Sequence, residues 1–212
     1  MTAEQGLRER KKQRTRVALV EAALALFAEK GYERTTVAQI AAAADVSTRT
    51  FFDHFPSKED VLFTHPVERA ELVMNTIAAC DGSESPSELL VRALKENLLS
   101  TVWNQDITSG AAALRISLLK SVPALQAHAL HRLLAVEQQM ADALCAVYPN
   151  RLTPYEAAVM VGSVIGGILA AVRVAAVDCE DPDVVRQELY KAIDLTSRGL
   201  AHFDRTSAAA LS

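Results

Sequence analysis

Apolar residues recur at helical spacing along most of the chain, and no alternating strand-like run of useful length interrupts them. Val17, Val20, Leu24 and Phe27 predict an amphipathic helix from about Arg10 to Glu29. Gly31 ends it, because glycine readily takes the left-handed position after a helix. "TVAQ", Thr36 to Gln39, has the form of a capping box and starts a short Ala-rich helix reaching about Ala43. "ADV" breaks that helix, and Ser47 can cap a second short one through about His54. "SKED", Ser57 to Asp60, is a further box and predicts the start of a fourth helix. "SPSE" (Ser85 to Glu88) and "TPYE" (Thr153 to Glu156) each join a cap, a proline at the first helical position and a glutamate at the third. "DPD", from Asp181, begins the last helix in a similar way, and Pro123 separates two apolar helices. The expectation is an all-α fold of about nine helices.

Composition narrows the class. The chain has 212 residues, half of them apolar, with only eight glycines and seven prolines. That is enough for one large or two small domains with a real core. No apolar stretch follows the basic start, so no secretory signal is expected. Cys80, Cys145 and Cys179 are odd in number, widely spaced and without a CxxC, which fits a reducing cytoplasm better than a disulfide framework or a structural zinc site. The net charge of −4 is uneven: "RERKKQRTR", Arg8 to Arg16, holds six cations and one glutamate. Two readings fit that run, a solvated helix start and a basic arm for a polyanion.

The second reading gains from its neighbours. One longer helix precedes two short helices joined by "ADV", the layout of a helix-turn-helix module. In such a module the second short helix enters the DNA major groove with its first turn against the bases. Here that turn is Thr48, Arg49 and Thr50. A guanidinium can bond both acceptors of a guanine, and threonine can bond a phosphate or touch a thymine methyl. Phe51 and Phe55, four apart, are expected in the module's core, with Phe52 and His54 nearer the backbone edge. Ser47, at the cap, completes this candidate surface. Thr36 and Lys58, each at a helix start, are placed to hold phosphates.

The segment "AALALFAEKGYERTTVAQIAAAADVSTRTFFDHFPSKEDVL" resembles the DNA-binding domain of the TetR family of transcriptional regulators. The resemblance covers Arg14 to about Leu62 and rests on "FAEKGY", "TTVAQIA", "VS" and "FxxHFPSKE". It implies a homodimer on a palindromic operator, and a larger helical C-terminal domain that binds a small molecule and then releases DNA. It also implies DNA contacts from Thr36, Thr48, Thr50, His54 and Lys58. Three positions depart from the family's habit. Asp45 stands where glycine is frequent, and aspartate tolerates the left-handed conformation better than most residues. Arg49 stands where a small residue is frequent and adds a base contact. Phe52 stands where tyrosine is common and lacks the hydroxyl that bonds a phosphate. The expected division is a DNA-binding domain over residues 10–65 and a ligand-binding and dimerisation domain over 66–212.

The C-terminal part carries fewer signals. "AAVMVGSVIGGILAAV", Ala157 to Val172, is sixteen uncharged residues, short for a membrane span. Its Gly162, Ser163, Gly166 and Gly167 let helices approach closely. A helix buried within one subunit fits this pattern. So does the dimer interface implied by the resemblance, through helices near 154–177 and 183–203. Candidate pocket residues for a small apolar or amphipathic effector are Leu99, Trp103, Ile107, Leu114, Leu118 and Leu134, with Trp103 the broadest apolar wall. Arg115, inside "AAALRISLL", faces either a ligand's negative group or solvent. His128 and His131 share a helix face, but no Cys or acidic partner stands at ligand spacing, so neither a metal nor a cofactor is expected. Catalysis finds no GxSxG, phosphate-binding loop or HExxH. Three functions remain: a ligand-responsive repressor, a DNA-binding regulator without an inducer, and a helical small-molecule or lipid carrier.

Overall fold

The computed structural model describes residues 3–100, 111–175 and 182–209. Among them are nine α-helices and one 3-10 turn, and no strand. In chain order they are α1 (Ala3–Lys30), α2 (Val37–Ala43), α3 (Thr48–His54), the 3-10 turn (Glu59–Phe63), α4 (Thr64–Ala78), α5 (Pro86–Leu98), α6 (Ala111–Ser121), α7 (Pro123–Val147), α8 (Pro154–Ala175) and α9 (Pro182–Ala209). The chain is all-α, as the periodicity predicts.

The starts obey the capping chemistry. Thr36 and Gln39 exchange side-chain and backbone hydrogen bonds, as do Ser85 and Glu88, and Thr153 and Glu156. "SKED" behaves differently. Asp60 is buried and bonded to the Ser57 hydroxyl, yet the backbone there winds into a 3-10 turn, and α4 begins only at Thr64. Asp60, Val61, Leu62 and Phe63 are buried in succession, so this turn is enclosed on all sides. Asp181, the expected cap of α9, lies outside the described residues, as does Cys179.

Two compact units form: Met1–Thr64 with Leu114–Leu125, and His65–Ala113 with Gln126–Ser212. A single cut at residue 65 does not contain the grouping of 114–125 with the N-terminal unit.

In the N-terminal unit Leu19, Ala23 and Phe27 form the buried stripe of α1; α2, with buried Ile40 and Ala41, packs on α1, and α3, with buried Phe51, packs on α2. The expected stripe was rotated from this one: Val17 is 45% exposed, and Val20 and Leu24 are half-buried. Phe27 lies on both stripes, and Leu19 and small Ala23 stand where α1 is packed.

In the C-terminal unit α9 packs on α8 and α5 around Leu89, Leu144, Met160, Val164, Leu189 and Ile193. Tyr148, buried in the same core, donates its hydroxyl to the Glu84 carbonyl. Gly167 marks the close approach of α8 and α9: a Cβ there would lie 2.6 Å from Thr196 Cγ2. Gly162 and Gly166 meet nothing within 4 Å. Pro154–Val174 is long and apolar enough to cross a membrane by length and composition, longer than the uncharged run alone because Pro154 to Glu156 and Arg173 extend the helix. The core helix of a soluble protein passes the same test, and α8 contributes Met160, Val161 and Val164 to this core.

Candidate nucleic-acid interface

Three local devices hold α2 and α3 in register. The first is the turn. Ala44 ends α2 and Asp45 takes φ 54°, a left-handed conformation, after which Val46 N–H bonds the Ala41 carbonyl at 2.9 Å. Aspartate fills the position expected to need glycine. The second is the cap of α3. Ser47 Oγ accepts from the Thr50 N–H at 3.0 Å and lies 2.9 Å from the Thr50 hydroxyl. The third is the aromatic cluster. Phe51 and Phe55 are buried with centroids 5.7 Å apart, as their spacing predicts, and Phe52 leans edge-on against Phe51 while remaining 55% exposed.

The outer side of α3 therefore presents Thr48, Arg49, Phe52 and Asp53, all exposed. Thr50 is half-buried and its hydroxyl is drawn into the cap. Thr36 is exposed at the start of α2, while its neighbour Thr35 is buried and donates to the Gly31 carbonyl. His54 is half-buried, and its Nδ1 is enclosed without a hydrogen-bond partner. Burial, with the positive charges of Arg16 and Lys12, holds its pKa below the ordinary histidine value against the opposing pull of Asp53.

Lys58 is turned inward. Its ammonium donates to the Tyr32 carbonyl at 2.9 Å and the Thr35 carbonyl at 3.0 Å. Glu59 accepts from the Tyr32 hydroxyl. Burial raises the Glu59 pKa, but this bond, further hydrogen bonds and the Lys58 charge outweigh it, so the carboxyl sits below its ordinary value. Burial, and then that same bond, pushes the Tyr32 hydroxyl well up. The loop before α2 is thus tied to the chain after α3. Sequence reading held Tyr32 in "FAEKGY" and Glu59 in "SKED" but gave neither a role, since their bond joins positions 27 apart.

These features combine a capped, exposed first turn with a fixed aromatic core, the arrangement a helix needs to enter a groove as a rigid body. Residues 19–64 match the family model described as "Bacterial regulatory proteins, tetR family". Over this segment the chain is similar to the TetR family. Among named relatives, the HTH-type transcriptional regulator TcmR of Streptomyces glaucescens is 36% identical over 144 residues, covering 66% of this chain and 63% of that protein. HbdR of Aromatoleum sp. (strain CIB), another HTH-type regulator, is 33% identical over 99 residues, covering 36% of this chain and 43% of its own. The chain thus matches less than two thirds of the length of either. Among solved structures, SmeT, the repressor of a Stenotrophomonas maltophilia multidrug efflux pump, superimposes with a TM-score of 0.56 at 18% identity, covering 87% of this chain and 89% of that one. Thermus thermophilus FadR, a TetR-family repressor in complex with lauroyl-CoA, gives 0.51 at 21% identity, covering 85% and 92%. These likenesses show a shared TetR-type fold.

Of the expected effector residues, Trp103 and Ile107 lie outside the described residues. Leu99 is 65% exposed and Leu134 is exposed on α7. Leu114, half-buried, and Leu118, buried, fall in the N-terminal unit. Arg115 is there too, buried, with Nη1 donating to the Leu62 carbonyl at 3.4 Å. Among the described residues no group of three or more His, Cys, Asp or Glu could hold a metal; His128 accepts from Arg132 Nε, and His131 is exposed.

Proposed function

We propose that this chain is a transcriptional repressor that binds a palindromic operator as a homodimer and is released by a small apolar or amphipathic effector. The observation that carries the reading is the Ser47-capped α3 with Thr48 and Arg49 exposed on its first turn, inside the segment that matches the family model. Arg49 reads a base. Thr48 and Thr50 contact bases or phosphates, and Thr36, Ser47, His54 and the remaining N–H of Lys58 hold the backbone. Phe52 packs against the sugar edge. Residues 10–65 form the reading domain, and residues 66–212 carry the effector and the dimer contact. Such a regulator works in the cytoplasm and has no enzymatic step.

Dimerisation is supported by apolar side chains exposed on α8 and α9, among them Tyr155, Leu169, Val174 and Leu195, beside the open Gly162 and Gly166. One recognition helix contacts too few bases for useful specificity alone. An effector is supported by TetR-fold structures solved with lauroyl-CoA in FadR and with triclosan in SmeT. Leu99, Trp103, Ile107, Arg115 and Leu118 remain its candidate contacts.

The test is selection of bound sequences from a random DNA pool. Enrichment of a palindrome with two half-sites supports a dimeric regulator. Weakening of that binding by acyl-CoA or an apolar drug separates the inducible repressor from a regulator without an inducer. No enrichment at low salt rejects DNA reading and favours the carrier.

A further inference from the structure

Six cations lie between Arg8 and Arg16, and one of them is placed unlike the rest. Arg10, Lys11, Lys12 and Arg14 are exposed, whereas Arg16 is half-buried on the same face of α1 as Leu19, Ala23 and Phe27. From there its Nη1 donates to the His54 carbonyl at 3.2 Å, and its guanidinium lies 4.7 Å from the centroid of the Phe55 ring. His54 is the last residue of α3, and its carbonyl is among those a helix end leaves without an intrahelical partner. A cation there also complements the helix dipole.

A helix of seven residues has little cooperativity of its own, so both ends must be fixed from outside. Ser47 fixes the first turn and Arg16 fixes the last. The angle at which Thr48 and Arg49 leave the module depends on both.

We infer that Arg16 is a positioning residue for DNA recognition: it binds the C-terminal end of α3 and so aims the first turn of that helix, without neutralising a phosphate. This rests on the DNA-reading function proposed above. The same guanidinium helps keep the adjoining imidazole neutral, together with Lys12 and against Asp53, so its removal has a pH signature.

The experiment uses the full chain and the site that it selects from random DNA. If the unaltered chain selects no site, DNA reading fails and this inference falls with it. If a site is found, binding is measured over a salt series for Arg16→Ala, Arg16→Lys and Arg16→Gln, after a melting curve shows each folded at the assay temperature. Arg16→Ala is expected to weaken binding roughly ten- to hundredfold with an unchanged salt slope, and to blur preference at more than one base of each half-site. Arg16→Gln keeps a stem and a donor without the charge. Arg16→Lys keeps the charge and donors and should recover more affinity than Arg16→Gln, but not all of it, because a compact ammonium replaces the planar fork that bonds His54 and lies over Phe55. Should Arg16→Ala fail to fold, the Gln and Lys variants decide the matter. A slope shallower by about 0.9, full rescue by lysine and unchanged base preference would make Arg16 a phosphate contact and overturn the inference. Weakened binding with unchanged base preference and no change in the pH profile would mark it as merely structural and overturn the inference equally.

Discussion

Lys58 lies over the ring of Tyr32, its Nζ 3.9 Å from the centroid, and the same ammonium bonds the Tyr32 carbonyl. With the bond to Thr35, one side chain after α3 holds the loop that leads into α2. Removing it should loosen the whole module. Lys58→Met is expected to lower stability by about 2 kcal/mol, the worth of two hydrogen bonds from a charged donor and a partly exposed cation–π contact after solvent screening. The salt slope of operator binding should also become shallower by about 0.9 if the third N–H holds a phosphate. A thermal melt reads the first effect and a salt titration the second. An unchanged melting midpoint would show that water replaces the ammonium without loss.

Arg49 is exposed on the first turn of α3, beside the Ser47 cap. Arg49→Ala should relax preference at one base per half-site, costing about 1–3 kcal/mol there and little on sites already mismatched at that base. Competition binding with single-base operator variants tests this. Equal weakening on every sequence would assign Arg49 to the DNA backbone instead.

The fold was legible because its starts are written in local chemistry. Thr36, Ser85 and Thr153 cap helices through atoms three residues away, so a linear reading finds them. Asp45 was legible for the same reason, since its left-handed turn is a property of one residue. What escaped depends on distant partners. Arg16 looks like any member of a basic run until α3 is folded 38 positions away. Nothing local to Lys58 signals its bonds to carbonyls 26 and 23 positions earlier. Arg115 gave no sign that it would bond the Leu62 carbonyl, 53 positions away.

His54 gives the module a pH dependence whose sign is fixed. Its folded pKa lies below the ordinary value of 6.5, first through burial and then through Arg16 and Lys12. As pH falls through that ordinary value the unfolded chain takes up a proton before the folded one does. Stability contributed by neutral His54 is therefore fully present above about 6.5 and is lost on acidification toward the folded pKa. Melting temperature should fall between about pH 7.5 and 5.5, and His54→Gln should flatten that part of the curve. An identical pH dependence in His54→Gln would assign the loss to other groups.

Gly166 and Gly167 are neighbours with opposite surroundings. A Cβ on Gly167 meets Thr196 Cγ2 at 2.6 Å, and the Thr196 hydroxyl is bonded to the Ala192 and Ile193 carbonyls, which resists its rotation. Gly167→Ala should cost about 1–3 kcal/mol from overpacking, set against up to about 1 kcal/mol gained in helix propensity. Thr196→Ser deletes only the clashing methyl and should restore most of the loss in the double variant. Gly166 meets nothing within 4 Å, so Gly166→Ala should stabilise the isolated subunit by up to about 1 kcal/mol. If α8 lies against a second copy, the added methyl should weaken self-association at the same time. Melts at one fixed concentration, with sedimentation equilibrium, separate the two effects. Unaltered self-association in Gly166→Ala would move the dimer contact away from this face of α8.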